Sequence, residues 1–96
     1  MSVYLIVNGT VTDPEAVQTY LANVGPTLRG RRFEVLVSTD DAVTVEGEPS
    51  GPRVVVMRFP DHAAFHEWYD SPEYQEVLQH RLKGTTGFAV VADGRD

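Results

Sequence analysis

The chain has 96 residues, 42% hydrophobic and 23% charged, the balance of an ordinary folded protein and too short for two independent cores. Lys and Arg number 8 against 14 Asp and Glu, a formal charge of −6, which argues against phosphate backbones and anionic membrane surfaces as partners. Cysteine is absent, so disulfides, thiolate metal sites, iron–sulfur clusters and a cysteine nucleophile are excluded together. No apolar run approaches the ~20 residues that span a bilayer, and the N-terminus lacks the basic start and apolar core of a signal peptide. A single cytoplasmic domain over residues 1–96 is expected.

Val3 to Gly9 is an apolar run with β-branched and aromatic residues that closes on glycine, the pattern of a buried strand. Asp13-Pro14-Glu15 supplies an N-cap acceptor, a proline suited to the first helical position and an acid in the first turn. The helix that follows carries Val17, Tyr20, Leu21 and Val24 on one stripe that Leu28 extends if the helix runs on, and Gly25-Pro26 is expected to bend or end it. Phe33–Ser38 and Ala42–Glu46 read as a hairpin of two strands about Asp40-Asp41, the second alternating apolar with polar. After the turn-rich Gly47–Pro52, Arg53–Phe59 has little polar interruption and is the best candidate for a central strand. Pro60-Asp61 starts a helix from about His62 to Tyr69, and Ser71-Pro72-Glu73 repeats the capping signal for a second piece to about Leu82. A last strand, Phe88–Ala92, precedes a polar tail.

This order gives an α+β, ferredoxin-like β-α-β-β-α-β sandwich with a four-stranded antiparallel sheet. Helices of both crossovers lie on one face of such a sheet, so a solitary molecule needs a polar opposite face. The strands do not supply one. Leu5 and Val7 alternate with Tyr4 and Ile6, and Val55, Met57 and Phe59 alternate with Val54 and Val56, so both faces call for burial. A second copy packed sheet to sheet is the simplest cover, since two-fold pairing is the commonest oligomer symmetry.

Glu46-Gly47 before an apolar strand, then F-P-x-H-x-A-x-x-x-W-Y-x-S-P-E-Y-Q over Phe59–Gln75, then Arg81, resembles domain-of-unknown-function family 1330. The likeness extends to Asp13-Pro14-Glu15, Tyr20 and the final strand, nearly the whole chain. One departure is that Gly30 is followed by Arg31 and Arg32 where the family commonly carries a Gly-Gly pair. The resemblance implies the dimeric α/β-barrel superfamily, in which two such sheets pair. That superfamily also holds cofactor-free monooxygenases, muconolactone isomerases and haem-binding members, so the fold leaves the chemistry open.

Arg81 falls in the middle of the stripe made by Tyr74, Val77 and Leu78, and a guanidinium on a packing face needs a partner. It either binds a ligand's carboxylate or enolate bidentately or pairs with Glu46 or another acid. Arg58 shares a strand face with Val54 and Val56, where it either contacts substrate or forms an interface salt bridge. Glu46, at a strand end before a glycine turn, suits a general base at a pocket mouth, or is an ordinary strand-end acid. His62 and His66 have a chelating spacing, but the H-E-x-x-H pattern requires Glu at position 63, which is Ala63, so no metal is expected. His66 is either solvent-exposed or a proton-transfer group beside a pocket, and in a haem-binding relative it is the ligand to consider. Trp68, Tyr69 and Tyr74 either pack the core or wall a ligand cleft with polar tips.

Neither nucleotide-binding glycine motif occurs, and no cofactor is implied. The leading expectation is a small homodimeric, cofactor-free enzyme that isomerises or cyclises a partly aromatic or carbonyl-bearing molecule. Glu46 or His66 exchanges the proton and Arg81 steadies anionic charge, with Trp68, Tyr69, Tyr74 and Arg58 as binding residues. A noncatalytic small-molecule-binding or purely structural dimer and a cofactor-free monooxygenase are the alternatives.

Overall fold

In a computed structural model that describes residues 1–96, seven elements follow one another: β1 (Val3–Val11), α1 (Pro14–Leu28), β2 (Glu34–Thr39), β3 (Arg53–Phe59), α2 (His62–Tyr69), α3 (Pro72–Gly84) and β4 (Thr85–Asp93). The sheet is antiparallel in the order β2-β3-β1-β4. The two most apolar strands thus take the two central places, where both edges are paired. Each helix starts where the sequence supplies a cap: Asp13 accepts from the Ala16 amide at 3.2 Å, Asp61 from Ala64 at 2.8 Å and Ser71 from Tyr74 at 3.2 Å. The second crossover is broken at Asp70-Ser71 as expected, because Ser71 caps α3 while its hydroxyl donates to the Trp68 carbonyl of α2 at 2.7 Å.

The alternation along the strands sorts the sheet into two faces. Under the helices run the rows Val35–Met57–Leu5–Val91 and Ser38–Val55–Val7–Ala89. A bulge at Leu36 keeps both ends of β2 in phase with this pattern. The core lies here: Val3, Leu5, Met57 and Phe59 from the sheet meet Leu28, Phe65, Trp68, Tyr74 and Leu78 from the helices. On the opposite face Val37, Val56, Ile6 and Val90 form an apolar row across all four strands, and Val37, Phe88 and Val90 are exposed. With extents of 31 × 31 × 16 Å, the molecule is only one helix layer on one sheet, and nothing in the chain covers this second face. No helix is long and apolar enough to cross a membrane.

Three local expectations are corrected. Ala42–Glu46 forms no strand: residues 40–52 are a loop, with Val43 87% and Val45 91% exposed. The pairing place beside β2 belongs to β3, so the alternating pattern of this segment has no strand to read it. Of the two outcomes open at Gly25-Pro26, ending is the one overturned: α1 runs through Pro26 to Leu28, the extension of its apolar stripe, whose side chain is held in the core. β1 and β4 are longer than their apolar runs, since Val11 pairs with Thr85 and Gly9 with Gly87 in one ladder.

The start of α1 is tied to the end of α3 through the Gly84 carbonyl, which accepts from the amides of Thr12 at 2.8 Å and Asp13 at 3.1 Å. A Cβ on Gly84 would stand 2.9 Å from Val17 Cγ2 and 3.0 Å from the Asp13 carbonyl oxygen, whereas one on Gly25 would meet open space. Gly84→Ala is therefore expected to destabilise by about 1–3 kcal/mol, and Gly25→Ala to stabilise by up to about 1 kcal/mol through helix propensity. Chemical denaturation midpoints check both; an unmoved midpoint for Gly84→Ala would show that the helix contact is not tight.

Candidate functional site

Between α1, α3 and the helix-facing side of the sheet lies a cavity of about 390 Å³, within the usual size range of small-molecule sites. Leu5, Val7, Val55 and Met57 form its sheet wall, and Trp68, Tyr69 and Tyr74 its aromatic wall. Leu21 and Leu82, lining residues that remain exposed, frame the rim. The aromatic wall is rigid. Trp68 and Tyr74 are each 1% exposed, with ring centroids 4.0 Å apart, and Phe59 stacks on Trp68 at 5.5 Å. The indole N–H of Trp68 donates to Thr27 Oγ1 at 3.0 Å, and that hydroxyl donates to the Val24 carbonyl at 2.6 Å. Its polar tip is therefore satisfied within the helix layer.

The only charged side chains lining the cavity are Arg53 and Arg81; no Asp, Glu, His or Lys lines it. Arg53 is neutralised by Asp40 at 3.0 Å. Arg81 has no carboxylate within 4.0 Å. Its guanidinium carbon lies 5.9 Å from the centre of the Tyr20 ring instead, in cation–π range. The structural pair with Glu46 is thus not formed: Glu46 sits exposed in the loop of residues 40–52, without an ion-pair partner, and does not line the cavity.

Two further candidates lie elsewhere. Arg58 is on the open sheet face, where it pairs with Glu34 of β2 across from Tyr4 of β1. That hydrogen bond to Glu34 is the main cause of a guanidinium pKa raised above its usual value. His66 is exposed on α2 and faces Asp70 at 3.0 Å, as His62 faces Asp93. No group of three or more His, Cys, Asp or Glu side chains is placed to hold a metal ion. The chain thus brings together Arg81, Trp68, Tyr69 and Tyr74, and leaves Glu46, His66 and Arg58 outside this cavity.

The model for the family described as Domain of unknown function (DUF1330) matches residues 2–95. The chain belongs to the DUF1330 family. No curated protein matches it in sequence. Among solved structures, a protein of unknown function from Rhodopseudomonas palustris, RPA0582, is similar with a TM-score of 0.80 at 17% identity, over 99% of this chain and 83% of that one. SnoaB from Streptomyces nogalater, described as a cofactor-independent oxygenase, is similar with a TM-score of 0.64 at 16% identity, over 99% of this chain and 94% of its own. Rv0793 from Mycobacterium tuberculosis gives 0.57 at 19% identity, over the full length of both. At these identities the likeness establishes the fold, that of dimeric α/β-barrel proteins.

In this DUF1330 chain the cavity also contains residues that the sequence pattern did not single out as functional. Tyr20 reads as one more member of an apolar helix stripe, yet its hydroxyl meets that of Tyr74 at 2.9 Å inside the cavity wall. Asn8 interrupts an apolar strand, which was a usable signal. Its amide donates to the carbonyls of Gly51 at 2.9 Å and Arg53 at 3.0 Å, while its oxygen accepts from the Ser50 amide at 2.8 Å. It pins the return of the 40–52 loop at the end of the cavity where Arg53 enters.

Burial, and after it the neighbouring Tyr74 phenol, raises the pKa of Tyr20 well above the ordinary 10.0, with Arg81 opposing the shift. The folded protein therefore keeps this proton at pH values where the unfolded chain releases it. The associated stability is complete below pH 10.0 and falls as pH rises from there toward the folded-state value. Denaturation midpoints measured across this alkaline window should decline in the wild type and decline less steeply in Tyr20→Phe; parallel profiles would show that Tyr20 does not titrate differently on folding.

Proposed function

We propose that the protein is a small homodimer that binds a partly aromatic, carbonyl-bearing molecule between its helices and sheet, without a nucleotide or metal. The observation that carries this reading is Arg81, a guanidinium with no acidic partner at the wall of a mainly apolar and aromatic cavity. A cation held this way lowers the energy of negative charge on a ligand oxygen, in surroundings where few waters compete. The cavity wall supplies hydrogen-bond donors and positive charge but no carboxylate or imidazole. Stabilising an anion is thus better supported within one subunit than proton abstraction by Glu46 or His66.

The dimer reading rests on surface. The chain exposes 6127 Å², against about 5,500 Å² for a folded monomer of its mass. The excess of several hundred Å² is close to the ~800 Å² that each partner gives to a standard interface. The Val37–Val56–Ile6–Val90 row supplies an apolar centre for it, and the Arg58–Glu34 pair a polar margin. A second reading, cofactor-independent oxygenation, is favoured by the fold shared with SnoaB. Dioxygen would then be the co-reactant and the ligand's own anion the electron source.

Thermal shift against naphthalene- and benzene-based carbonyl compounds tests the binding reading. A hit should lose most of its stabilising effect in Arg81→Leu, with the variant's fold checked by circular dichroism; no stabilisation by any compound would count against a ligand site. Oxygen consumption with the hits separates oxygenation from binding alone. For the assembly, sedimentation equilibrium should give a dimer at micromolar concentration, and Ile6→Asp should shift it to monomer. A folded wild-type monomer would defeat the dimer reading.

A further inference from the structure

The Tyr20–Tyr74 hydroxyl pair has a direction that its burial decides. Tyr74 is fully buried, and its hydroxyl has one hydrogen-bond partner, the Tyr20 hydroxyl at 2.9 Å. If Tyr20 donated, the Tyr74 proton would be left in the core without an acceptor, which costs more than the bond is worth. Tyr74 is therefore the donor and Tyr20 the acceptor. Arg81 stands beside the same ring, its guanidinium carbon 5.9 Å from the ring centre. With the Tyr20 oxygen accepting from Tyr74, its own proton is left free for a ligand in the cavity that Tyr20 and Arg81 both line.

We infer that Tyr20 and Arg81 form a two-point anchor for an aromatic organic acid bound as its anion, with the oxyanion held by the guanidinium and by the Tyr20 hydroxyl. This inference rests on the cavity being a ligand site and adds the charge state of the ligand and a second binding residue. Three observations converge on it. The cavity is lined by no carboxylate and, with Arg53 paired to Asp40, by one guanidinium without an acidic partner, on a chain whose net charge is −6. Arg81 therefore gives this wall a local attraction for an anion that the overall charge does not. The Tyr74 proton polarises the Tyr20 hydroxyl, which strengthens it as a donor. No imidazole or carboxylate lines the wall to remove a proton from a neutral ligand, so the ligand must enter as an anion or ionise through its own acidity. Carboxylates and acidic phenols or enols on an aromatic frame meet that condition. Tyr69 and Tyr20, the half-buried aromatics of the wall, supply surface for the ring, with Trp68 and Tyr74 packed behind them.

Isothermal titration with 2-naphthoate and the neutral 2-naphthamide tests this directly. The acid is expected to bind at least 10-fold tighter than the amide, the margin of a charge-assisted contact at a desolvated cation. Tyr20→Phe should weaken the acid by about 10-fold and the amide by clearly less, since a bond to the anion is charge-assisted and one to the amide carbonyl is not. Arg81→Lys, which preserves charge and reduces the risk of misfolding, should retain part of the preference that Arg81→Leu abolishes. A spectroscopic readout is independent of affinity: the visible band of 4-nitrophenolate should appear at lower pH in the presence of wild-type protein, and less so with Tyr20→Phe. Equal affinity for acid and amide would overturn the anion anchor while leaving the cavity a ligand site. Failure of both compounds and of nitrophenol to bind would overturn the site itself. Unchanged naphthoate affinity in Tyr20→Phe would remove Tyr20 from the anchor.

Discussion

The shortage of cover for apolar β-surface organises the rest of this molecule. Four strands carry hydrophobic side chains on both faces, and the helices of the two crossovers can lie on only one of them. On that side the three helices must share the space above the sheet. α1 and α3 are pulled together at one end by the Gly84 carbonyl and its two amide donors, while the aromatic residues of α2 and α3 fill the space toward β3. The cavity is the part that this packing leaves open. Its depth, its apolar walls and its placement beside α1 all follow from how helices of these lengths fit on a sheet of this width.

Much of the architecture was legible because it rests on local periodicity. β1 and β3 announce themselves by composition, the helices by Asp13, Asp61 and Ser71 as caps, and the two-faced sheet by strict alternation. What failed did so where a distant partner decides. Ala42–Glu46 has the alternation of a strand, but a strand needs a neighbour, and β3 holds the edge that this segment would use. Pro26 carries a strong local stop signal that the burial of Leu28 overrides. The extensions of β1 and β4 beyond their hydrophobic runs are set by each other's register and by no property of either segment.

The site was legible in type more than in place. Arg81 stood out because charge on an apolar stripe is rare, and the structure does put it at the cavity with Trp68, Tyr69 and Tyr74. Whether it finds a carboxylate depends on a loop 35 residues upstream, which no spacing rule reaches, and that loop carries Glu46 into solvent. His66 and Arg58 were attractive as residue types, but one faces outward from α2 and the other lies on the far side of the sheet. Tyr20 illustrates the reverse error. A phenol in an aliphatic stripe looks like packing until the hydroxyl opposite it is known.

Trp68 is the molecule's sole tryptophan, clamped between Phe59 and Tyr74 with its indole N–H tied to Thr27. A fluorophore so fixed has one environment, and that environment changes when the packing of the cavity wall around it changes. The intrinsic emission of the native chain is thus a built-in gauge of what fills the space beside it, with no label or engineered probe required.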